Sequence, residues 1–112
     1  KKTAHKLKKG KIKIDARLDL HGMTKSEAYI EMKSFIRNAY HQNLKCILVI
    51  TGKGGKKDSN IPLHEQTQGV LKTNVPLWLT ESTLQKYVLK FEWAKPKDGG
   101  EGALYVLLRR RK

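Results

Sequence analysis

The 112-residue sequence predicts an α/β domain of about four strands in the order β-α-β-α-β-β. Three patterns lead to that class: an alternating apolar segment near the start, an amphipathic segment with a helical period, and short continuous apolar runs. A chain of this length can form one two-layer core but not two. We expect residues 1–11 to form a basic, flexible arm and residues 12–112 to form the folded domain with a basic C-terminal end.

The first half of the chain carries the clearest signals. Apolar residues alternate with charged ones from residue 12 to residue 20, which predicts a strand with one buried face. A capping box, Thr24 to Glu27, then starts a helix that ends near residues 41–43. The apolar stripe of this helix consists of Ala28, Met32, Phe35, Ile36 and Ala39. The continuous apolar run Cys46–Ile50 predicts a strand covered on both faces.

The second half predicts one more helix and two more strands. Apolar residues between 70 and 79 indicate a helix that is bent or split at Pro76. Residues 85–93 indicate a strand, residues 96–102 a tight turn, and Ala103–Leu108 the last strand. We expect one face of the third strand to carry Tyr87, Leu89, Phe91 and Trp93. Because strand–helix–strand crossovers are right-handed, the first two strands should be parallel, with their carboxyl ends at the edge where such sheets bind ligands.

Charge is concentrated at the two ends of the chain. The formal net charge is +14, yet the first 13 residues hold seven lysines and no acid, and residues 109–112 hold four more basic residues. Basic ends on a small domain indicate nucleic-acid binding through release of counterions from phosphates. An acidic protein or a membrane surface would attract the same ends.

Composition excludes several other classes. A single cysteine excludes a disulfide framework and a cysteine-based zinc cage, and it favours a reducing compartment, which we take to be the cytoplasm. No apolar stretch reaches the ~18 residues of a membrane span, so we expect a soluble protein with no membrane partner.

The first candidate site is Asp19-Leu20-His21-Gly22, at the end of the first strand. Because Leu20 faces the core, Asp19 and His21 project together on the other face. The carboxylate would orient the imidazole ring, and the ring would move a proton as a general acid or base. Gly22 would allow a tight turn into the capped helix, whose first amides can hold an anion. The alternative is that His21 only caps the turn and Asp19 forms a surface pair.

The second candidate site is the loop of residues 51–57, which is rich in glycine and lysine. It matches neither the phosphate loop of nucleotide-binding proteins nor the dinucleotide fingerprint, so we predict no nucleotide cofactor. Its lysines, Lys53, Lys56 and Lys57, predict that the loop binds a backbone phosphate. The alternative is a solvated surface loop.

Metal chemistry has little support in the sequence. Two-metal nucleases need several clustered carboxylates. Only Asp19 lies on the two candidate loops, with Asp98 and Glu101 as further possibilities from the last turn. We therefore expect no obligatory metal, although Mg²⁺ is compatible with a DNA substrate.

Three motifs in order resemble those of the Smr (small MutS-related) domain. They are Leu18-Asp19-Leu20-His21-Gly22, Thr51-Gly52-Lys53-Gly54 and the segment from Gly99 to Leu108. Val75-Pro76-Leu77-Trp78-Leu79 is similar to the segment before the third strand in stand-alone proteobacterial members. The resemblance implies a two-layer α/β sandwich similar to the C-terminal domain of bacterial translation initiation factor three.

The same resemblance implies an endonuclease that nicks DNA or cleaves RNA. By position, Asp19 and His21 would be catalytic, and residues 51–54 would contact nucleic acid. Thr51 stands where many members carry histidine, which removes one possible proton carrier. Residues 56–67 resemble an insertion after the glycine loop.

Two functions are compatible with these observations. The first is an endonuclease in which Asp19 and His21 act on a strand held by Gly22 and the residues of the glycine–lysine loop. The second is a non-catalytic module that binds nucleic acid or a ribosome through the same cleft.

Overall fold

A four-stranded mixed sheet with three helices forms the framework of the domain. The computed structural model describes residues 13–52 and 69–111. The elements, in chain order, are β1 (Ala16–Asp19), α1 (Lys25–His41), β2 (Cys46–Ile50), α2 (Val70–Leu79), α3 (Ser82–Gln85), β3 (Val88–Trp93) and β4 (Ala103–Leu108). Two short 3₁₀ turns, Pro96–Asp98 and Gly100–Gly102, connect β3 to β4. The predicted α/β class is therefore confirmed.

The sheet order is β1-β2-β4-β3. β1 and β2 are parallel, as the crossover rule predicts, whereas β4 pairs antiparallel with both β2 and β3. The carboxyl ends of β1 and β2 therefore lie at the same edge of the sheet, and β4 starts from that edge.

The main core lies between the helices and one face of the sheet. Met32 and Ile36 of α1 are fully buried in it, together with Leu20 and with Ile47 and Val49 of β2. The stripe predicted for α1 is buried except for Phe35, which packs at the margin of the core. Within the described residues, no helix is both long enough and apolar enough to cross a membrane.

A smaller apolar cluster lies on the opposite face of the sheet. It consists of Cys46, Leu48, Ala94, Ala103, Tyr105 and Leu107. β2 and β4 thus contribute buried residues to both faces, which explains their continuous apolar sequences. Burial raises the pKa of the Cys46 thiol to about 12, so this side chain stays protonated at neutral pH.

The third strand differs most from its prediction. Residues 82–85 form a helix, and β3 begins only at Val88, with an irregularity in the β3–β4 register between Val88 and Lys90. Val88 is buried, whereas Leu89 is 54% exposed. The prediction that Leu89 lies on the same face as Tyr87 and Phe91 is therefore wrong. The reason is that a β-bulge shifts the alternation by one residue.

Pro76 lies inside a helix that the sequence predicts to be bent or split there. α2 continues through Pro76 to Leu79, and the chain breaks only at Thr80, before α3. The helix at Pro76 is therefore not split.

Candidate functional site

The two candidate loops start side by side at the carboxyl ends of β1 and β2. The Leu20 amide donates to the Ile50 carbonyl at 2.7 Å, which extends the parallel pairing by one residue beyond β1. A Cβ atom built on Gly52 would lie 3.5 Å from the Cβ atom of His21. The end of the first strand and the start of the glycine loop are therefore direct neighbours.

Asp19 and His21 form a hydrogen-bonded pair at this edge. The distance from His21 Nδ1 to Asp19 Oδ1 is 2.6 Å, and the same oxygen accepts the His21 backbone amide at 3.0 Å. Both side chains are accessible, with 69% of His21 and 50% of Asp19 exposed. The pair is thus preformed by the backbone and still open to a ligand.

The electrostatics of Asp19 favour its charged form. Partial burial of the carboxyl raises its pKa, but the hydrogen bonds from the His21 ring and amide, with the His21 charge, outweigh this and lower the pKa below its ordinary 3.8. Asp19 is therefore ionised at neutral pH.

The ionised carboxylate determines which ring nitrogen of His21 carries the proton. A carboxylate can only accept hydrogen bonds, so Nδ1 of His21 must be the donor in this pair. In the neutral ring, Nε2 then carries the free lone pair. Nε2 has no hydrogen-bond partner in the described part of the chain, so the geometry leaves it able to accept a proton from a ligand.

A tight turn places His21 at the tip of the loop. The Met23 amide donates to the Leu20 carbonyl at 3.0 Å, and Gly22 has φ of +83°. A four-residue turn with positive φ at its third position is the type II geometry, which favours glycine there. Gly22 thus permits the tight turn that its place in the sequence predicts.

The start of α1 follows immediately and is held by the predicted capping box. Thr24 Oγ1 accepts from the Glu27 amide at 3.2 Å, and Glu27 Oε1 accepts from the Thr24 amide at 3.0 Å. The amides of Lys25 and Ser26 precede the intrahelical bonding pattern, so they remain free to interact with groups at the helix N-terminus.

Thr51 is held inside the fold. It is 6% exposed, and its hydroxyl donates to the Gly52 carbonyl at 2.8 Å, with the Gly102 carbonyl 3.3 Å away. The amides of Thr51 and Gly52 both donate to the Gly102 carbonyl, at 2.8 and 3.0 Å. Thr51 therefore fixes the start of the glycine loop against the turn that precedes β4, and its side chain is not presented to a ligand.

Gly102 is a site residue that sequence reasoning missed. The partner groups on Thr51 and Gly102 are 51 positions apart, and the acceptor is a backbone carbonyl, which carries no sequence signature. Only the pairing of β2 with β4 brings them together.

The remaining predicted residues fall into two groups. Lys53, Gly54, Lys56 and Lys57 lie outside the described residues, as does the segment 56–67. Asp98 and Glu101, the two further carboxylates that the sequence suggested for a metal, form pairs with other residues.

Asp98 accepts the Tyr105 hydroxyl at 2.5 Å, and Glu101 pairs with Lys72 at 2.8 Å. Among residues 13–52 and 69–111, no group of three or more histidine, cysteine or acidic side chains is arranged to hold a metal ion.

Comparison with known proteins places the chain among Smr domains. The model of the Smr domain family matches residues 18–109. Ribosome rescue factor SmrB of Vibrio cholerae is 37% identical over 103 residues, which are 92% of this chain and 47% of that protein. SmrB of a Shewanella species is 33% identical over 103 residues, 92% of this chain and 49% of that protein. The chain thus spans about half the length of these relatives.

Two crystal structures have a similar fold. The Smr domain of Thermus thermophilus MutS2 has a TM-score of 0.67 and 28% identity, covering 84% of this chain and 98% of that one. YdaL, a stand-alone small MutS-related protein from Escherichia coli, has a TM-score of 0.70 and 33% identity, covering 96% of this chain and 75% of that one.

Proposed function

Because the chain belongs to the Smr domain family, we propose that it binds RNA at the ribosome and cleaves a phosphodiester bond with the Asp19–His21 pair. The observation that supports the cleavage step is the 2.6 Å hydrogen bond between His21 Nδ1 and Asp19 Oδ1. This bond leaves Nε2 of the exposed His21 free to take a proton. A general base needs this combination of correct tautomer, fixed ring and access.

The ligand class follows from charge and from the relatives. The chain carries a net charge of +14, which suits a polyanion. The SmrB relatives carry the name ribosome rescue factor, and the ribosome is an assembly built largely of RNA. RNA is therefore the substrate class that we assign.

RNA also contains its own nucleophile. In the proposed reaction, His21 Nε2 takes the proton of a 2′-hydroxyl, and the 2′ oxygen attacks the neighbouring phosphorus. The bond from phosphorus to the 5′ oxygen breaks, and that oxygen takes a proton from the imidazolium or from water. The products are a cyclic 2′,3′-phosphate and a 5′-hydroxyl.

Asp19 and the lysine loop have supporting roles in this reaction. Asp19 keeps the ring in the required tautomer and stabilises the imidazolium that forms, as a carboxylate does for other catalytic histidines. We assign to Lys53 the stabilisation of charge that develops on the phosphoryl oxygens. No cofactor takes part in this route. DNA lacks the 2′-hydroxyl, so its cleavage would need water as nucleophile, and Mg²⁺ would then be expected to assist.

The second candidate function is a non-catalytic module that binds RNA or the ribosome through the same edge. It is favoured by the relatives' name, which refers to ribosome rescue and not to cleavage. This module would bind in a salt-sensitive manner and release no product.

The test is cleavage by the wild-type protein and by His21→Ala, with His41→Ala as the matched control. His41 is an exposed histidine at the end of α1, at the other end of a 17-residue helix from the capping box. Substrates are an end-labelled structured RNA, a ribosome-bound message and a supercoiled plasmid, each with Mg²⁺ and with EDTA.

We expect His21→Ala to slow RNA cleavage by about 10²–10⁴-fold and His41→Ala to have no effect. Cleavage in EDTA with a cyclic phosphate end supports the metal-independent route. Full activity of His21→Ala would overturn the mechanism. Binding without cleavage of any substrate would identify the non-catalytic module.

A further inference from the structure

A cationic groove lies at the opposite end of the sheet from Asp19 and His21. It has a volume of about 330 Å³ and is bordered by the loop between α1 and β2, the start of β3 and the residues that follow β4. We call it the C-terminal groove. The four charged residues that line it are all basic: Lys45, Arg109, Arg110 and Arg111. No site residue discussed above contributes to it.

Two of the arginines are held in place by the fold. Arg109 Nε donates to the Gln85 carbonyl at 2.9 Å, and its backbone amide donates to the Tyr87 carbonyl at 2.7 Å. Arg111 Nε donates to Asn43 Oδ1 at 3.3 Å. Because these anchors use Nε, the terminal amino groups of both guanidinium planes remain to bind an anion.

The floor of the groove is apolar. Four leucines line it: Leu44 from the loop between α1 and β2, Leu89 from β3, and Leu107 and Leu108 from β4. Leu89 is the residue that the bulge in β3 leaves 54% exposed. Bulges at sheet edges commonly redirect a side chain next to a functional surface.

One carboxylate lies close to the groove. Asp15 Oδ2 accepts the backbone amides of Lys45 and Cys46, at 2.8 and 3.0 Å. The four basic residues of the groove outnumber this single negative charge, so a ligand meets a net positive charge.

We propose that the C-terminal groove is a second RNA-binding surface, which takes one nucleotide against the leucine floor and the flanking phosphates on the arginines and Lys45. The choice of RNA as ligand rests on the proposed function. The volume is at the small end of the range for ligand sites, about 300–1,000 Å³, which suits a single nucleotide. A nucleotide strand suits a groove lined by leucines and cations better than an acidic peptide does, because each nucleotide brings both a base that can pack on the leucines and a charged phosphate.

The groove and the Asp19–His21 pair are connected by β4. This strand begins at the turn that holds Thr51 and ends at Leu108 in the groove, and its six residues span about 20 Å. One RNA strand that runs over the surface of the domain for this distance can therefore contact both places, and the groove would position the strand without taking part in cleavage.

The test is the salt dependence of binding to a single-stranded oligouridylate, measured in the His21→Ala background to avoid cleavage. The variant is Lys45→Gln with Arg110→Gln, because neither of these side chains anchors the fold in the described structure. The control, Arg17→Gln with Arg37→Gln, removes two exposed charges that do not line the groove. Leu89→Ala tests the floor separately.

We expect the groove variant to reduce the magnitude of the slope of log K against log salt concentration by about 1.4, or about 0.7 for each lost phosphate contact. The control should change the slope much less, and Leu89→Ala should weaken binding severalfold without changing the slope. In the His21-containing protein, the groove variant should raise KM and leave kcat unchanged.

Equal slopes for the groove variant and its His21→Ala parent would overturn the proposal, as would equal losses in variant and control. Unchanged RNA binding with loss of affinity for an acidic leucine-containing peptide would show a protein-docking groove instead. The binding results are independent of whether the wild-type protein cleaves RNA, so failure of the groove proposal is distinguishable from failure of the proposed function.

Discussion

Gly52 lies against His21, so that a Cβ atom on Gly52 would be 3.5 Å from the Cβ atom of His21. The two residues follow adjacent parallel strands and are separated in the sequence by α1 and β2. The first glycine of the loop therefore lies directly beside the histidine at this edge of the sheet.

Replacing either glycine of this edge with alanine should cost a similar amount of stability. Gly52 and Gly22 have φ of +85° and +83°, a conformation that costs an alanine about 1–2 kcal/mol. The Gly52 neighbour at 3.5 Å is an ordinary contact, and a methyl group on Gly22 would meet no atom within 4 Å, so neither substitution adds a clash. The measurement is the free energy of unfolding in urea. A loss for Gly52→Ala more than about 2 kcal/mol above that for Gly22→Ala would contradict this view of the contact.

Asp19 should make stability fall in acid. Its pKa in the folded chain lies below the ordinary 3.8, so its contribution to stability is fully present above that value and is lost as the pH falls through the folded pKa. Because the pair is half exposed, we expect less than about 1 kcal/mol. Asp19→Asn should remove this part of the pH dependence when urea unfolding is measured between about pH 6 and pH 2.

The control for Asp19 is Glu31→Gln, which removes an exposed carboxylate from the middle of α1. Its profile should keep the acid-dependent loss seen in wild type. If Asp19→Asn and wild type lose stability in parallel down to the lowest pH, the hydrogen bonds from His21 do not favour the charged carboxylate.

Two strands and the start of one helix were predicted with the bounds that the structure shows. The strands Cys46–Ile50 and Ala103–Leu108 have the predicted bounds because both are continuously apolar and buried on both faces. α1 starts at its capping box for the same kind of reason. The contact between Asp19 and His21 follows from the period of two in a strand that buries Leu18 and Leu20.

Features that depend on pairing between distant strands were not predictable from the sequence. The exposure of Leu89 results from a register shift against β4, and the burial of Thr51 results from its bonds to Gly102. In both cases the interacting residues are far apart in the sequence, and no distinctive pattern of side chains marks them. The sequence therefore predicted that Asp19, His21 and Gly52 lie at one edge of the sheet, but not that Thr51 faces inward or that Gly102 holds it.

The hydroxyl of Tyr105 should contribute measurably to stability. Tyr105 is 1% exposed and donates to Asp98 at 2.5 Å. Burial, together with this bond and the Asp98 charge, raises the pKa of Tyr105, so the hydroxyl remains a donor at neutral pH. Tyr105→Phe should lower the free energy of unfolding by about 1.5–3 kcal/mol, the value of a hydrogen bond to a charged group.

The control for Tyr105 is Tyr87→Phe, since the Tyr87 hydroxyl has no hydrogen-bond partner among the residues that the structure describes. This substitution should change stability by no more than about 0.5 kcal/mol. Equal losses for the two variants would mean that the Asp98 bond adds nothing beyond the loss of a hydroxyl.

Gly99→Ala should be more damaging than Gly100→Ala in the turn before β4. A Cβ atom on Gly99 would lie 2.9 Å from the Cβ atom of Ala103, whereas Gly100 has nothing within 4 Å. Both have positive φ, +115° and +54°. Gly100→Ala should therefore cost about 1–2 kcal/mol from backbone strain, and Gly99→Ala should cost about 1–3 kcal/mol more from overpacking.

A double-mutant cycle separates the clash at Gly99 from the strain. Ala103→Gly removes the atom that the new methyl group would meet, so Gly99→Ala should cost less in that background than in wild type. The readout is the free energy of unfolding of all four proteins in urea. Additive losses would show that strain alone, and not contact with Ala103, requires glycine at position 99. A positive coupling would show that the close approach of these two residues shapes the turn whose Gly102 carbonyl holds Thr51 and Gly52, the start of the glycine loop.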